Sequence, residues 1–310
     1  MVDEIFISIV IPVLNEEESI EKLYKKVLES LVSYSSWEII FVDDGSYDNS
    51  YNVIRNIVET DKRVKAIQLF KNFGKAAALS EGFKLVKGKY VVTIDADLQD
   101  DPKEIPNLVS KLETGYDLVS GWKIDRQDPW TKTLPSKIFN FITRNLTGVR
   151  IHDFNCGLKI YRKSVVRALD IYGGLHRYIP ALASQKQFRI TEIPVKHYPR
   201  KYGMSKYGGT RLLHGFFDLI TILFFNRYIQ RPLHLFGFFG LSCIITFLVL
   251  EIYVIGLKIF IGHSFYTHMA LMLFGAMLFI LGLWFFSIGI IAEMITRQDQ
   301  NQESRIKQII

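Results

Sequence analysis

Two aspartates separated by one small residue, Asp95-Ala96-Asp97, end an apolar, β-branched run, Val91-Val92-Thr93-Ile94, that has the length and composition of a buried strand. Carboxylates spaced i and i+2 where a strand gives out can meet one hard cation, and Ala96 between them lets a ligand approach the backbone. Gln99 adds a neutral oxygen two residues on. A metal set of Asp95, Asp97 and Gln99 is oxygen-only, which favours Mg2+ or Mn2+ over zinc. Mg2+ is usually held by one or two carboxylates together with substrate phosphates. The same residues also read as a solvated acidic turn before a helix opened by Pro102.

Alternating strands and helices must position this pair. Phe6 to Pro12 reads as a strand and Glu16 to Leu31 as a helix whose Glu-rich first turn suits the helix dipole. Glu38 to Val42 is a second strand, followed by a helix through about Thr60. Val64 to Phe70 is a third, after which Asn72-Phe73-Gly74-Lys75 opens an Ala-rich helix ending near Gly88. This order predicts an α/β fold with a mostly parallel, doubly wound sheet, whose ligands lie beyond the carboxyl ends of the strands. Four polar clusters fall at such ends: Pro12 to Glu16, with Pro12, Leu14 and Glu16 its candidate contacts; Asp43 to Ser46; Asn72 to Lys75; and Asp95 to Gln99. Together they would surround one crevice.

Asp44 at a strand end can accept from a nucleobase N–H or a ribose, Asp43 can hold the loop, and either can instead cap the next helix. Lys75 at a helix start can meet a phosphate or stand in solvent. Neither GxxxxGK[ST] nor GxGxxG occurs at the strand-helix turns, which argues against P-loop phosphoryl transfer and dinucleotide redox chemistry.

The second half is more basic. Pro102 to Gly115 reads as a helix and Asp117 to Ser120 as a strand. Beyond Gly121, the cations Lys123, Arg126, Lys132 and Lys137 alternate with Trp122, Trp130, Leu134, Ile138, Ile142 and Leu146. The last four give one apolar stripe, which either packs on the sheet or lies on a membrane surface with its cations on a phosphate. Asp153, before a strand from Leu158 to Tyr161, is either a second-site carboxylate or a loop-holding cap. A helical stretch near Tyr178 to Lys186 and a strand from Arg189 to Tyr198 lead into a Gly- and cation-rich loop, Pro199 to Tyr207, suited to closing over an anion.

The net charge is +7, yet residues 1–60 hold 12 acidic against 4 basic side chains, a net of −8 that leaves +15 for the remainder. That basic remainder adjoins apolar segments and lacks nucleic-acid motifs, so an anionic lipid surface or acceptor is expected and no nucleic acid. Cys156 and Cys243 are the only cysteines, which suggests no disulfide framework. The acidic start, Met1 to Val10, lacks the basic region and cleavage site of a secretion signal.

Leu212 to Phe225, 14 residues interrupted by His214 and Asp218, is too short to span and reads as interfacial. Leu233 to Leu257 is 25 residues with His234 and Glu251 its only ionisable groups, and Met269 to Ile291 is 23 with none. Both are long enough to cross a bilayer. The expected organisation is a catalytic domain at 1–207, an amphipathic region at 208–231, two spans within 232–292 with an outer loop at 258–268, and a tail at 293–310. Cations before the first span and after the second put both termini and the large domain on the cytoplasmic side of a bacterial-type plasma membrane. Glu251 within a span needs a partner in the second helix or another protomer, and glycines such as those in Leu235 to Gly240 permit a homo-oligomer.

SIVIPVLNEEESI, VDDGSYDNS, NFGKAAAL, DADLQDDP and the SKYG loop resemble the polyprenyl-phosphate hexosyltransferases of glycosyltransferase family 2, the group containing dolichyl-phosphate mannose synthase and bactoprenol glucosyltransferase. The resemblance covers roughly residues 5 to 210, and the two spans are similar to the bactoprenol glucosyltransferase branch. It implies the nucleotide-diphospho-sugar transferase fold called GT-A, with Mg2+ or Mn2+ on Asp95, Asp97 and Gln99. It further implies nucleotide-sugar contacts from Pro12, Leu14, Glu16, Asp43, Asp44, Asn72, Lys75, Asp95 and Ala96. The lipid phosphate would meet Lys123, Arg126, Lys137, Arg200, Ser205 and Lys206. Catalytic roles fall to Asp95, Asp97 and Asp153, the last orienting the acceptor or sugar more readily than taking a proton. The implied reaction is inverting, metal-dependent transfer of a hexose, glucose from UDP-glucose by the branch resemblance, to undecaprenyl phosphate. GDP-mannose, UDP-N-acetylglucosamine or an amino-arabinose donor would use much the same motifs. A processive polysaccharide synthase would carry QxxRW, which is absent. A membrane-tethered nucleotide-sugar sensor is the non-enzymatic alternative.

Overall fold

The computed structural model describes residues 5–124, 130–200 and 232–300. The chain divides into two compact units, Met1–Leu219 and Ile220–Ile310. The expected interfacial stretch 208–231, Arg126, and the SKYG loop with Ser205 and Lys206 lie outside the described residues.

In the first unit the described strands form one seven-stranded sheet: β1 (Ile7–Val13), β2 (Trp37–Asp43), β3 (Val64–Gln68), β4 (Tyr90–Thr93), β5 (Leu118–Lys123), β6 (Lys159–Arg162) and β7 (Ile190–Val195), in the order β3-β2-β1-β4-β6-β5-β7. β6 pairs antiparallel with both its neighbours, and every other pairing is parallel. This is the mostly parallel, doubly wound α/β arrangement that the alternation of strand and helix patterns predicts. Ile7, Ile9 and Ile11 point to one face, under α1 (Ile20–Ser30), α2 (Ser50–Thr60) and α4 (Ile105–Glu113). Val10 and Val91 point to the other, under α3 (Lys75–Leu85), α6 (Lys163–Ala168) and α7 (Ile179–Gln185). Burial on both faces explains why these strands read as continuous apolar runs.

Element boundaries moved where local chemistry intervenes. The helix expected from Glu16 starts at Ile20, because Glu16 and its neighbours are held by the next loop. Pro102 opens a 3-10 turn over Pro102–Glu104, capped by the Asp101 carboxylate on the Lys103 N–H, before α4 begins. α5 (Trp130–Thr147) forms as a helix. Among its described side chains Asn140 and Thr143 are buried, while Ile142 and Leu146 of the expected apolar stripe are exposed at 37% and 44%.

The strand starts share one buried anion. Glu38 is 2% exposed and takes hydrogen bonds from Ser8 Oγ, Lys65 Nζ and the Lys87 amide, all at 2.6 Å. Burial by itself would raise its pKa, but these donors outweigh burial and hold the carboxyl below the ordinary glutamate range.

The second unit is a pair of long helices, α8 (Pro232–Ile261) and α9 (Met269–Gln300), both long and apolar enough to cross a membrane. α8 continues to Ile261, and a 3-10 turn over Phe265–His268 leads into α9. Gly275, Gly282 and Gly289, seven residues apart, let α8 approach closely. A Cβ on Gly282 would lie 2.9 Å from Gly240 O, and one on Gly275 would lie 3.1 Å from Glu251 Oε1. Glu251 therefore reaches the second helix.

Truncating Glu38 leaves Lys65 and two other donors around a buried hole, so Glu38→Ala should destabilise the protein by about 3 kcal/mol at neutral pH. A depressed folded pKa contributes stability above the unfolded value and loses it as pH falls through the folded one. Thermal unfolding in detergent should accordingly show the variant's deficit shrinking as pH drops below the normal glutamate range.

Candidate active site

The four loops at the carboxyl end of the sheet are fastened to one another in a ring. After β1, the Asn15 amide donates to Ser46 Oγ at 2.9 Å and the Glu16 amide to Ser50 Oγ at 2.8 Å, tying the first loop to the second. Asp44, after β2, accepts the Phe73 and Gly74 amides on its two oxygens at 2.8 and 2.9 Å, tying the second to the third. Lys75, at the start of α3, pairs with Asp95 Oδ1 at 2.5 Å, tying the third to the fourth. Arg200 closes the ring, with Nη2 at 2.7 Å from Asp97 Oδ2 and Nη1 at 3.1 Å from Glu16 Oε1.

Inside this ring is a cleft of about 280 Å3 lined by Pro12, Val13, Leu14, Glu16, Asp44, Asn72, Gly74, Lys75, Asp95, Ala96, Asp97 and Arg200. Residues from four separate stretches, expected to share one crevice, thus do so. The placement of Arg200 among them was not anticipated. Arg200 was expected on the lipid phosphate, whereas here its guanidinium is engaged by Asp97 and Glu16.

Burial, and then repulsion from Asp95, push the Asp97 carboxyl above the usual aspartate range, and the Arg200 charge opposes them. Asp44 is also raised, by burial, with the Phe73 and Gly74 amides offsetting part of it. The turn between Asp97 and Gln99 is strained. Leu98 has φ +60°, an unfavourable region for a bulky L residue, and is held there by its own burial at 9% exposure. Asp97 Oδ1 accepts the Gln99 amide at 3.2 Å across the same turn.

Among the described residues no three His, Cys, Asp or Glu side chains converge into a closed metal site. Two carboxylates at an open cleft, with a guanidinium resting on one of them, fit instead the Mg2+ or Mn2+ pattern in which substrate phosphates complete the coordination. Asp95 and Asp97 would hold such an ion. Gln99 directs its Nε2 to the Tyr198 carbonyl at 3.3 Å.

Other expected site residues lie elsewhere. Asp43 is fully buried, with Oδ1 accepting the Ser46 amide at 3.2 Å, because the turn after β2 needs an acceptor there. Asp153, 2% exposed, does not line the cleft and accepts the Asn155 amide at 3.0 Å. Lys123 points its ammonium at the buried Asp100, 2.9 Å away. Lys137 is exposed on α5. One residue that sequence reasoning missed is Gly157. A Cβ there would sit 2.5 Å from the Asp95 carboxyl carbon, so the loop before β6 can pass beneath Asp95 only as glycine. Its one sequence signal is a glycine immediately before a strand.

Residues 8–170 match the family described as Glycosyl transferase family 2. The chain is 37% identical over 302 residues to a dodecaprenyl-phosphate galacturonate synthase of Rhizobium johnstonii, covering 96% of this chain and 89% of the relative. It is 35% identical over 294 residues to an undecaprenyl-phosphate 4-deoxy-4-formamido-L-arabinose transferase of Edwardsiella ictaluri, covering 94% and 89%. Among solved structures, glucosyl-3-phosphoglycerate synthase of Mycobacterium tuberculosis, in complex with Mn2+, uridine diphosphate and glucosyl-3-phosphoglycerate, shares the fold. Its TM-score is 0.56 at 22% identity, over 71% of this chain and 79% of that one.

Gly157→Ala should displace Asp95 by several tenths of an ångström or more. Turnover in a sugar-transfer assay is expected to fall about 100-fold, with the thermal unfolding midpoint changed by only a few degrees.

Proposed function

Because the chain belongs to glycosyltransferase family 2, we propose that this glycosyltransferase moves a sugar from a nucleotide diphosphate onto a polyprenyl monophosphate, inverting the anomeric centre. The observation that carries the reading is the joined ring, which gathers Glu16, Asp44, Lys75, Asp95 and Asp97 around one cleft. Relatives named for polyprenyl-phosphate acceptors support the lipid half.

A divalent ion on Asp95 and Asp97 would neutralise the negative charge that builds on the departing diphosphate. Asp44 and the first-loop residues Pro12, Leu14 and Glu16 would hold the nucleoside, with Asn72, Lys75 and Ala96 beside the phosphates and sugar. An oxygen of the lipid phosphate forms a bond to the anomeric carbon as the bond to the diphosphate oxygen breaks, and the nucleoside diphosphate leaves with the electron pair. The attacking oxygen is already anionic, so no base is needed. Asp153 accordingly serves as a structural anion that shapes the loop from Asp153 to Gly157. Arg200, held between Asp97 and Glu16 at the cleft, would add positive charge where the phosphates bind.

The acceptor's chain demands a membrane. α8 and α9 supply anchors, and the exposed Phe141, Ile142 and Leu146 with Lys137 on the same helix suit an anionic lipid surface. The cations flanking the spans favour a cytoplasmic catalytic unit. As to the donor, the relatives carry galacturonate and formamido-arabinose in their names, so these stand beside the UDP-glucose that the branch resemblance implies.

Purified protein given undecaprenyl phosphate, Mn2+ and, separately, labelled UDP-glucose, UDP-galacturonate, a UDP-linked formamido-arabinose and GDP-mannose should form a labelled lipid with one of them. Chelation should abolish it, and Asp97→Asn should lower it at least about 100-fold. A protein that binds nucleotide sugar yet labels no lipid would instead be a tethered sensor.

A further inference from the structure

The loop that carries the metal carboxylates holds a third acid, and the transfer reading leaves it without a task. Asp100 lies three residues past Asp97, and its side chain is 1% exposed. Lys123 Nζ, at the end of β5 and 12% exposed, is 2.9 Å from its Oδ1. His197 Nδ1, 3% exposed, is 3.4 Å from the same oxygen. A buried carboxylate needs partners, and here they come from two different elements.

Those elements carry the rest of the site. Lys123 is in register with Val195 on β7, and two residues beyond Val195 the backbone of His197 bridges to Asp100. The chain then pairs the Tyr198 amide with the Gln99 carbonyl at 2.8 Å, places the Tyr198 hydroxyl 3.1 Å from Asp101 Oδ2, and delivers Arg200 to Asp97 and Glu16. One carboxylate therefore fastens the metal loop below to β5 and beside it to the segment that ends in Arg200. Asp100 also follows by two residues the strained turn at Leu98, through which the chain leaves Asp97.

We infer that Asp100 is a positioning residue for the metal and diphosphate site, and that Lys123 belongs to Asp100 and not to the acceptor phosphate. The inference rests on the reading of Asp95 and Asp97 as the metal carboxylates. The two cation roles differ in what their loss disturbs. A lysine that meets the acceptor phosphate affects acceptor KM, whereas one that holds Asp100 affects the affinity of the loop for its metal.

The test uses full-length protein in detergent. Mn2+ binding in the presence of UDP is followed by the electron paramagnetic resonance signal of free Mn2+, alongside KM for undecaprenyl phosphate. Lys123→Met should weaken Mn2+ retention about tenfold, the size of effect that supporting residues have on metal sites, with acceptor KM within twofold of wild type. Lys123→Arg, which keeps the charge, should recover most of the Mn2+ affinity. If Lys123→Met does not accumulate as folded protein, Asp100→Asn, which preserves size, carries the same comparison. An acceptor KM that rises by a larger factor than the Mn2+ dissociation constant overturns the inference, as does a variant that matches wild type in both. Wild-type protein that retains no Mn2+ with UDP overturns the metal reading on which the inference rests.

Discussion

Four carboxylates, Glu16, Asp44, Asp95 and Asp97, face one cleft at the end of a buried parallel sheet, and their mutual repulsion is the constraint that the rest of the site answers. Each is met in a different way. Asp44 is satisfied by two backbone amides, Asp95 by Lys75, and Glu16 and Asp97 share Arg200. Because each of these contacts crosses from one loop to the next, charge compensation and loop order are the same set of interactions. Asp97, buried and next to Asp95, keeps a raised pKa despite the guanidinium, which is the signature of a place that still calls for positive charge.

The support beneath the ring is less forgiving. Gly157 leaves room for Asp95 where any Cβ would collide, and Leu98 takes a left-handed backbone to turn the chain between Asp97 and Gln99. Asp100, two residues past that turn, forms a largely buried ion pair with Lys123. Such pairs contribute little net stability compared with apolar packing but are costly to break. Such a pair next to Asp95 and Asp97 is understandable as geometric control, since a displacement of one ångström at carboxylates lining a cleft matters more to chemistry there than a few tenths of a kcal/mol matter to folding.

The second unit answers a different problem. A polyprenyl chain does not leave the bilayer, so the enzyme must come to it, and two apolar helices of 30 and 32 residues provide attachment. Their contact depends on glycines that replace side-chain volume with backbone proximity, the usual means of association where lipid removes the hydrophobic drive between helices. Glu251, the acidic residue of the first span, reaches the second helix at Gly275.

Much of this was legible in the sequence because it is written in local periodicity. Both-face burial makes β1, β2 and β4 read as apolar runs, the alternation with helices fixes a parallel sheet, and polar clusters then fall at the carboxyl ends without further information. The spans follow from length alone. What tertiary structure decided was the partner of each charge. Asp44 lines the cleft while its oxygens accept the Phe73 and Gly74 amides, whereas Asp43 is buried and accepts the Ser46 amide. Lys123 and Asp153 carry no sequence mark of burial, yet Asp153 is 2% exposed and the Lys123 side chain, at the end of β5, is only 12% exposed against Asp100. Arg200, 103 residues from Asp97, reaches it only because the chain leaving β7 lies along the metal loop. Periodicity reports which face of an element is buried, but an ion pair between distant residues depends on which elements become neighbours, and that is a property of the assembled sheet.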